Sequence, residues 1–351
     1  MSRPHDGQRP FFPFGNPFRM ILPKGSDLSP KLLALLNSFE QTLADRLKKL
    51  KPKDNSEVLS LSWMRLAMDS LCETHMAIKT LITELQFPIS DWDEKWMDTY
   101  LDNSVKLLDI CIAFSSEISR LNQGHLLLQY VLHILDSSSG FPSMEQLVRA
   151  RSSLHDWMQQ INSKNSKLEN CTTVLHGLIR SLHLAKFKNS AKGKVLMRAM
   201  HGVKVQTVFI CSVFTAAFSG SMEPLINLNI SDKFLWSEAF NDLQVSVNRE
   251  IRGLFSNGTV TVLKEVEAVH GGVQKLYSMT DFIRHEESEN LKKSISSLQE
   301  SMERLVQGLD SLSKQVESFF QTVLTGRDAL LCNLRIADLP QENNGQEQVV
   351  T

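Results

Sequence analysis

From Leu291 to Val323 the apolar residues Leu291, Ile295, Leu298, Met302, Leu305, Leu309, Leu312, Val316, Phe319 and Val323 follow one another in alternating steps of four and three. Such spacing lays one apolar seam along a helix for more than four heptads and winds it left-handed around its partner. A sheet cannot use this pattern, because strand side chains alternate with period two. The partner is either another helix of the same chain or a second copy. With so many other helical segments available, packing inside one bundle is the expectation, and an oligomer through 291–323 is the alternative.

The rest of the chain supplies those segments. Leu61, Met64, Met68, Leu71, His75, Ile78, Ile82 and Leu85 form a second seam, interrupted by one histidine, and Pro88 ends it. Ser90 with Asp93 and Glu94 reads as an N-cap and acidic first turn of a helix from about Asp91 to Leu121. The stretch HLLLQYVLHIL after Gly124 reads as a further apolar helix, and SSSGFPS at 137–143 as a loop. Leu32, Leu36, Phe39, Leu43 and Leu47 place another helix over 30–50, with LKPKDNSE as the linker behind it. Residues 144–185 and 232–280 are helical candidates, the latter punctuated by Gly253, Asn257-Gly258 and Gly271-Gly272. No window sustains period-two alternation. The expected fold class is therefore all-α, a bundle of long antiparallel helices with a heptad-patterned C-terminal helix. Its expected layout is an extended arm over 1–29, one bundle domain over 30–338 and a disordered tail over 339–351.

Charge is unevenly placed, although the 351-residue chain carries a net charge of only −1. No acidic residue occurs between Glu169 and Glu223, an interval that holds Arg180, Lys186, Lys188, Lys192, Lys194, Arg198 and Lys204. A basic segment over 180–204 can meet an anionic lipid surface, an acidic protein or the chain's own acidic SDWDEKWMDTYLD stretch. That acidic stretch most simply caps a helix, with Trp92 and Trp96 turned inward. Behind the lysines runs VQTVFICSVFTAAFSGSM, Val205 to Met222, without a charge. A membrane span needs about 20 predominantly apolar residues, so this window is short. A buried central helix of a bundle is apolar all round as well and is the preferred reading. Were it a span, Val205, Phe209, Val213, Phe214 and Phe218 would face lipid, and the lysine-rich flank would put the N-terminal part in the cytoplasm.

The N-terminal RPFFPFGNPFRMILPKGS carries four phenylalanines among four prolines, Pro10, Pro13, Pro17 and Pro23, which exclude a helix. Asn16-Pro17-Phe18-Arg19 fits a type I turn. There is no apolar core of a secretory signal, and Ser2 is the sole serine before Ser26, so a plastid transit peptide fits poorly. Three roles stay open for Phe11, Phe12, Phe14, Asn16, Pro17 and Phe18: packing on the bundle, insertion at a membrane interface, or presentation to a partner.

Chemistry finds little support. The five cysteines are widely spaced and form no Cys-x-x-Cys pair, which excludes a disulfide framework or zinc ribbon and fits a reducing compartment. Cys72, Glu73 and His75 in LCETH offer a thiol beside a base, but His75 lies on the apolar seam, where a packed histidine is the simpler reading. Gly271-Gly272 lacks the lysine and spacing of a phosphate loop. The basic segment has Phe187 as its lone aromatic, so no nucleic-acid groove is expected. No catalytic, cofactor or metal set can be assembled, and a nonenzymatic protein is expected.

The segments RPFFPFGNPFRM, LSWMRLAMDSLCETH and SDWDEKWMDTYLDNSVKLLDICIAFSSEISRLNQGHLLLQYVLH resemble the plant BYPASS family, also grouped with ROH-type proteins, and the resemblance covers essentially the whole chain. It implies a noncatalytic developmental protein that restrains production of a root-derived mobile signal, with no cofactor. It also implies partners among exocyst or vesicle-trafficking components. Members are described in plastids and at internal membranes. The poor transit signal favours the cytoplasmic face of membranes such as the endoplasmic reticulum, with the plastid as alternative. In the resulting expectation, a helical scaffold contacts membrane or partners through the aromatic arm and Lys186, Lys188, Lys192, Lys194, Arg198 and Lys204. The competing expectation is an enzyme or binder acting on a small-molecule signal precursor.

Overall fold

The computed structural model describes residues 28–54, 57–86, 94–135, 142–163, 166–182, 190–256, 263–280 and 288–337. The aromatic arm, Lys186, Lys188, Trp92, the Ser90 cap and the tail over 339–351 lie outside the described residues. Among the described residues there are nine helices and no strand: α1 Pro30–Leu50, α2 Leu61–Leu85, α3 Glu94–Leu135, α4 Met144–Asn162, α5 Ser166–Arg180, α6 Ala191–Ser219, α7 Ser237–Ser256, α8 Lys264–Met279 and α9 Ser288–Ala337.

Local signals set several of these boundaries. Ser29 caps α1 by accepting from the Leu32 amide, with Pro30 in the first turn where its missing amide costs nothing. Ser143 and Gln146 form a reciprocal capping box at α4. Ser60 caps α2, and the carboxylate of Glu265 on α8 accepts from the Leu61 amide at 3.1 Å, placing a negative charge at the positive end of the helix. Gly220, at φ +62°, ends α6 in the left-handed conformation that glycine adopts without a Cβ penalty.

All ten residues of the 291–323 seam are buried, and α9 lies against α2, α3 and α8 of the same chain. Helices joined by short connections run antiparallel, as where Gln160 of α4 meets Arg120 of α3 and Gln146 meets Ile134. The α2 and α9 helices instead run parallel: Leu61 packs on Gly308, Asp69 bonds Gln315 and His75 meets Phe319. Helix α6 is inserted among α1, α2, α3 and α5 and is buried on every side from Val205 to Phe218.

Glycine punctuation misleads in three places. The α3 helix does not stop at Leu121 but continues through Gly124, where a Cβ would sit 3.0 Å from Trp157 Nε1 of α4. Gly272 lies inside α8 and admits Leu298 in the same way, while Gly253 lies inside α7. At the first two sites the absent side chain serves close packing between helices.

Candidate functional site

The described part of the basic segment over 180–204 is dispersed by α6. Arg198 points inward. Its Nε donates to Glu40 Oε1 at 2.5 Å, its second guanidinium nitrogen to Glu40 Oε2 at 3.2 Å and to the Lys233 carbonyl at 2.6 Å. The guanidinium also lies over the Phe234 ring, 5.2 Å from its centroid. Glu40 is fully buried and accepts a further bond from the Leu235 amide at 2.9 Å. This pair therefore ties α1, α6 and the segment before α7 together. Removing either partner would strand a buried charge. Lys204 donates to the Ser181 carbonyl at 3.3 Å, and burial pushes its ammonium below the ordinary lysine range. Lys192 donates to the Gln86 carbonyl at 3.1 Å, a cation at the C-terminal end of α2. Lys194 is exposed. Arg198 and Lys204 are thus internal struts, and of the expected basic contacts Lys194 alone among the described residues presents itself freely to solvent, with Lys192 at its edge.

The residues that would face lipid in a spanning helix face protein. Val205, Phe209, Val213 and Phe214 are fully buried and Phe218 nearly so. Phe214 packs on Phe114 of α3 at 5.4 Å between ring centroids, and Phe209 meets Phe240 of α7 edge-on at the same distance. The polar members find partners inside the bundle, Gln206 Oε1 excepted: Gln206 donates to Ser70 at 2.9 Å, and Thr207, Ser212 and Thr215 donate to carbonyls one turn back. Solvation by its own neighbours, rather than by a bilayer, accounts for the composition of this helix.

The LCETH stretch diverges. Cys72 faces α9, with its thiol 3.9 Å from Ser318 Oγ and pushed up by burial. Glu73 reaches the other way to Arg46 of α1 at 3.0 Å. His75 Nε2 lies 3.1 Å from Thr207 Oγ1 of α6, its ring stands edge-on to Phe319, and burial pushes its pKa down to about 4. One turn of helix has sent the three groups to three different partners, so thiol and base never meet. Cys171 is pushed up to about 11 and Cys111 and Cys211 further still, all by burial, which leaves them protonated and unreactive. Among the described residues no cluster of three His, Cys, Asp or Glu side chains has the arrangement of a metal site.

Two polar positions missed in the sequence carry a readable signal. Glu40 stands four residues after Leu36 on the apolar face of α1, and Asn103 four before Leu107 on that of α3. A charge or amide on an apolar seam marks a buried polar contact.

A core-filled bundle of long helices, with four of its five cysteines buried in the packing, is the class this architecture defines. The chain matches the family model described as Protein ROH1-like over residues 26–199. It is 52% identical over 335 residues to Protein BPS1, chloroplastic, of Arabidopsis thaliana, covering 95% of this chain and 93% of that one. It is 43% identical to UPF0496 protein 4 of Oryza sativa subsp. japonica, covering 96% and 98%, and 20% identical to Protein ROH1D of Arabidopsis thaliana, covering 87% and 90%. The chain belongs to the plant BYPASS family of ROH1-like proteins. No solved structure matches it.

Proposed function

We propose that the chain is a noncatalytic regulator of plant development, a preformed helical scaffold that restrains production of a root-derived mobile signal affecting shoot and root growth. The developmental role is what the BYPASS resemblance implies. The observation that carries the noncatalytic reading is the divergence of Cys72, Glu73 and His75 onto three separate helices. Attachment to membrane is peripheral in this reading, because the apolar side chains of α6 are occupied by the core. The contact falls to Lys186, Lys188, Lys192 and Lys194 and to the aromatic arm. The word chloroplastic in the name of the Arabidopsis relative favours a plastid membrane over the endoplasmic reticulum. The ROH-type resemblance implies a second reading, an adaptor in exocyst-dependent vesicle traffic. Action on a signal precursor as an enzyme fits less well, since the thiol of Cys72 and the ring of His75 do not converge.

The test is genetic rescue. A Cys72→Ala variant that folds to wild-type helicity should restore normal growth to plants lacking the protein. Failure of that folded variant would reinstate thiol chemistry and overturn the noncatalytic reading.

A further inference from the structure

Between the antiparallel helices α1 and α2 runs an open groove of about 500 Å³, a size typical of ligand clefts. The buried side chains of Phe39 and Leu81 form its floor, and Leu35, Ala77 and the exposed Met76 its sides. Trp63 Nε1 donates to the Leu50 carbonyl at one end of the helix pair, and Arg46 meets Glu73 at 3.0 Å farther along. Leu35, Leu81 and Glu84 therefore mark the other end of the groove, next to the start of α1. Of the two lining carboxylates, Glu73 is engaged by Arg46, whereas Glu84 is exposed and makes no ion pair among the described residues.

The groove restricts what can fill it. Both sides are helices whose backbone groups are bonded within each helix, so an occupant gains no backbone pairing from them. The hydroxyls of Thr42 and Thr80 donate to the Ser38 and Met76 carbonyls of their own helices and demand nothing from a guest. The fitting guest is an extended apolar segment with few amide donors of its own and a cation for Glu84. The N-terminal arm is such a segment: Phe11, Phe12, Phe14 and Phe18 are interspersed with Pro10, Pro13 and Pro17, which lack an amide hydrogen, and Arg19 follows. Proline-rich segments dock on aromatic-lined grooves in the polyproline II form, which has no internal hydrogen bonds to lose. The point where the arm joins the bundle fits as well. Leu28 packs on the core at the start of α1, and Phe18 stands ten residues before it. At about 3.1 Å per extended residue that stretch reaches about 30 Å, while the groove, from Leu35 to Arg46, is about 16 Å long.

We infer that the arm from Phe11 to Phe18 occupies the α1–α2 groove when the protein is in solution, running antiparallel to α1, with its rings against Leu35, Phe39, Met76, Ala77 and Leu81 and with Arg19 beside Glu84. Seating the phenylalanines here removes apolar surface of both arm and groove from water. The seat excludes the membrane contact proposed above for the arm, so a bilayer has to draw the rings out before it can hold them. The inference does not rest on that contact, and its test contains no membrane.

Disulfide trapping in the full-length protein tests it. Cys332→Ser leaves the four buried native thiols, and Gly15→Cys is paired either with Thr80→Cys on the groove or with Leu235→Cys. Leu235 is exposed and its amide meets Glu40, so it lies at the same height on the opposite side of α1, equally within reach of the tether. Oxidation by diamide in dilute solution should trap the Thr80→Cys variant as a monomer at least about tenfold faster than the Leu235→Cys variant, because a seated arm adds local concentration beyond that of the tether. Replacing the four phenylalanines by serine leaves the bundle untouched and should bring the two rates together. Glu84→Arg should slow trapping about twofold to fivefold, the worth of an exposed ion pair. Equal rates at the two positions, or an undiminished rate without the phenylalanines, would overturn the seat. A disulfide joining two chains would overturn it in favour of a neighbour's arm, and an unchanged rate with Glu84→Arg would overturn the place given to Arg19.

Discussion

His75 illustrates how a titratable side chain on an apolar seam becomes a stability element. Its folded pKa of about 4 lies below the value near 6.5 of an unfolded histidine. The unfolded chain therefore takes up a proton first as the pH falls. The contribution of neutral His75 is fully present above about pH 6.5 and is lost progressively towards pH 4, with a slope of at most about 1.4 kcal/mol per pH unit. Burial lowers His125 and His201 as well, which adds slope of the same sign. Urea midpoints measured between pH 7.5 and 4.5 should fall for the wild type and fall less steeply for His75→Gln. Identical slopes would mean that His75 is protonated in the native state. The seam position of His75 was legible in the sequence, and its packed role followed from that. Its partner Thr207 was not, because a contact between α2 and α6 is set by the approach of two distant helices.

At the scale of the element, burial patterns were legible and glycines were not. The steps of four and three along α9 correctly identified ten buried residues, since helical period alone decides which face is apolar. Breaks inferred at Gly124 and at Gly271-Gly272 failed because these glycines lie within continuous helices, and Gly124 and Gly272 let a neighbour come close. The two uses of glycine make opposite predictions. A Cβ at Gly271 meets nothing within 4 Å, so Gly271→Ala should stabilise by about 0.5–1 kcal/mol through helix propensity. A Cβ at Gly308 would lie 2.6 Å from Leu61 Cδ1 and 2.9 Å from its Cβ, where α9 crosses α2. Gly308→Ala should cost about 1–3 kcal/mol despite the same propensity gain, since overpacking forces the helices apart. Thermal unfolding of the two variants checks both signs, and a stabilised Gly308→Ala would show that the α2–α9 contact is loose.

At the scale of the molecule, a run of like charge in sequence need not be a patch in space. The interval between Glu169 and Glu223 is continuous in the chain, but helix α6 turns Arg198 onto Glu40 and Lys204 into a cavity wall, while Lys194 faces solvent. Sequence periodicity could not separate them, because the direction of each side chain depends on which helices surround α6. Attachment to an anionic bilayer by the exposed group and loss of stability by the internal group are therefore separable. Vesicles of phosphatidylcholine and phosphatidylserine should bind the full-length protein at low salt and release it at high salt, as screening predicts for a peripheral contact and not for an inserted helix. Replacing Lys186, Lys188, Lys192 and Lys194 by glutamine should weaken that binding by about 10²–10³-fold, at about 1 kcal/mol for each lysine near the surface, and flatten its salt dependence. Arg198→Gln should leave vesicle affinity nearly unchanged and instead lower the unfolding midpoint, because it leaves Glu40 charged and buried without its partner. Vesicle binding that survives the fourfold substitution, or that persists in high salt, would exclude electrostatic attachment and return the apolar face of α6 or the aromatic arm to the membrane.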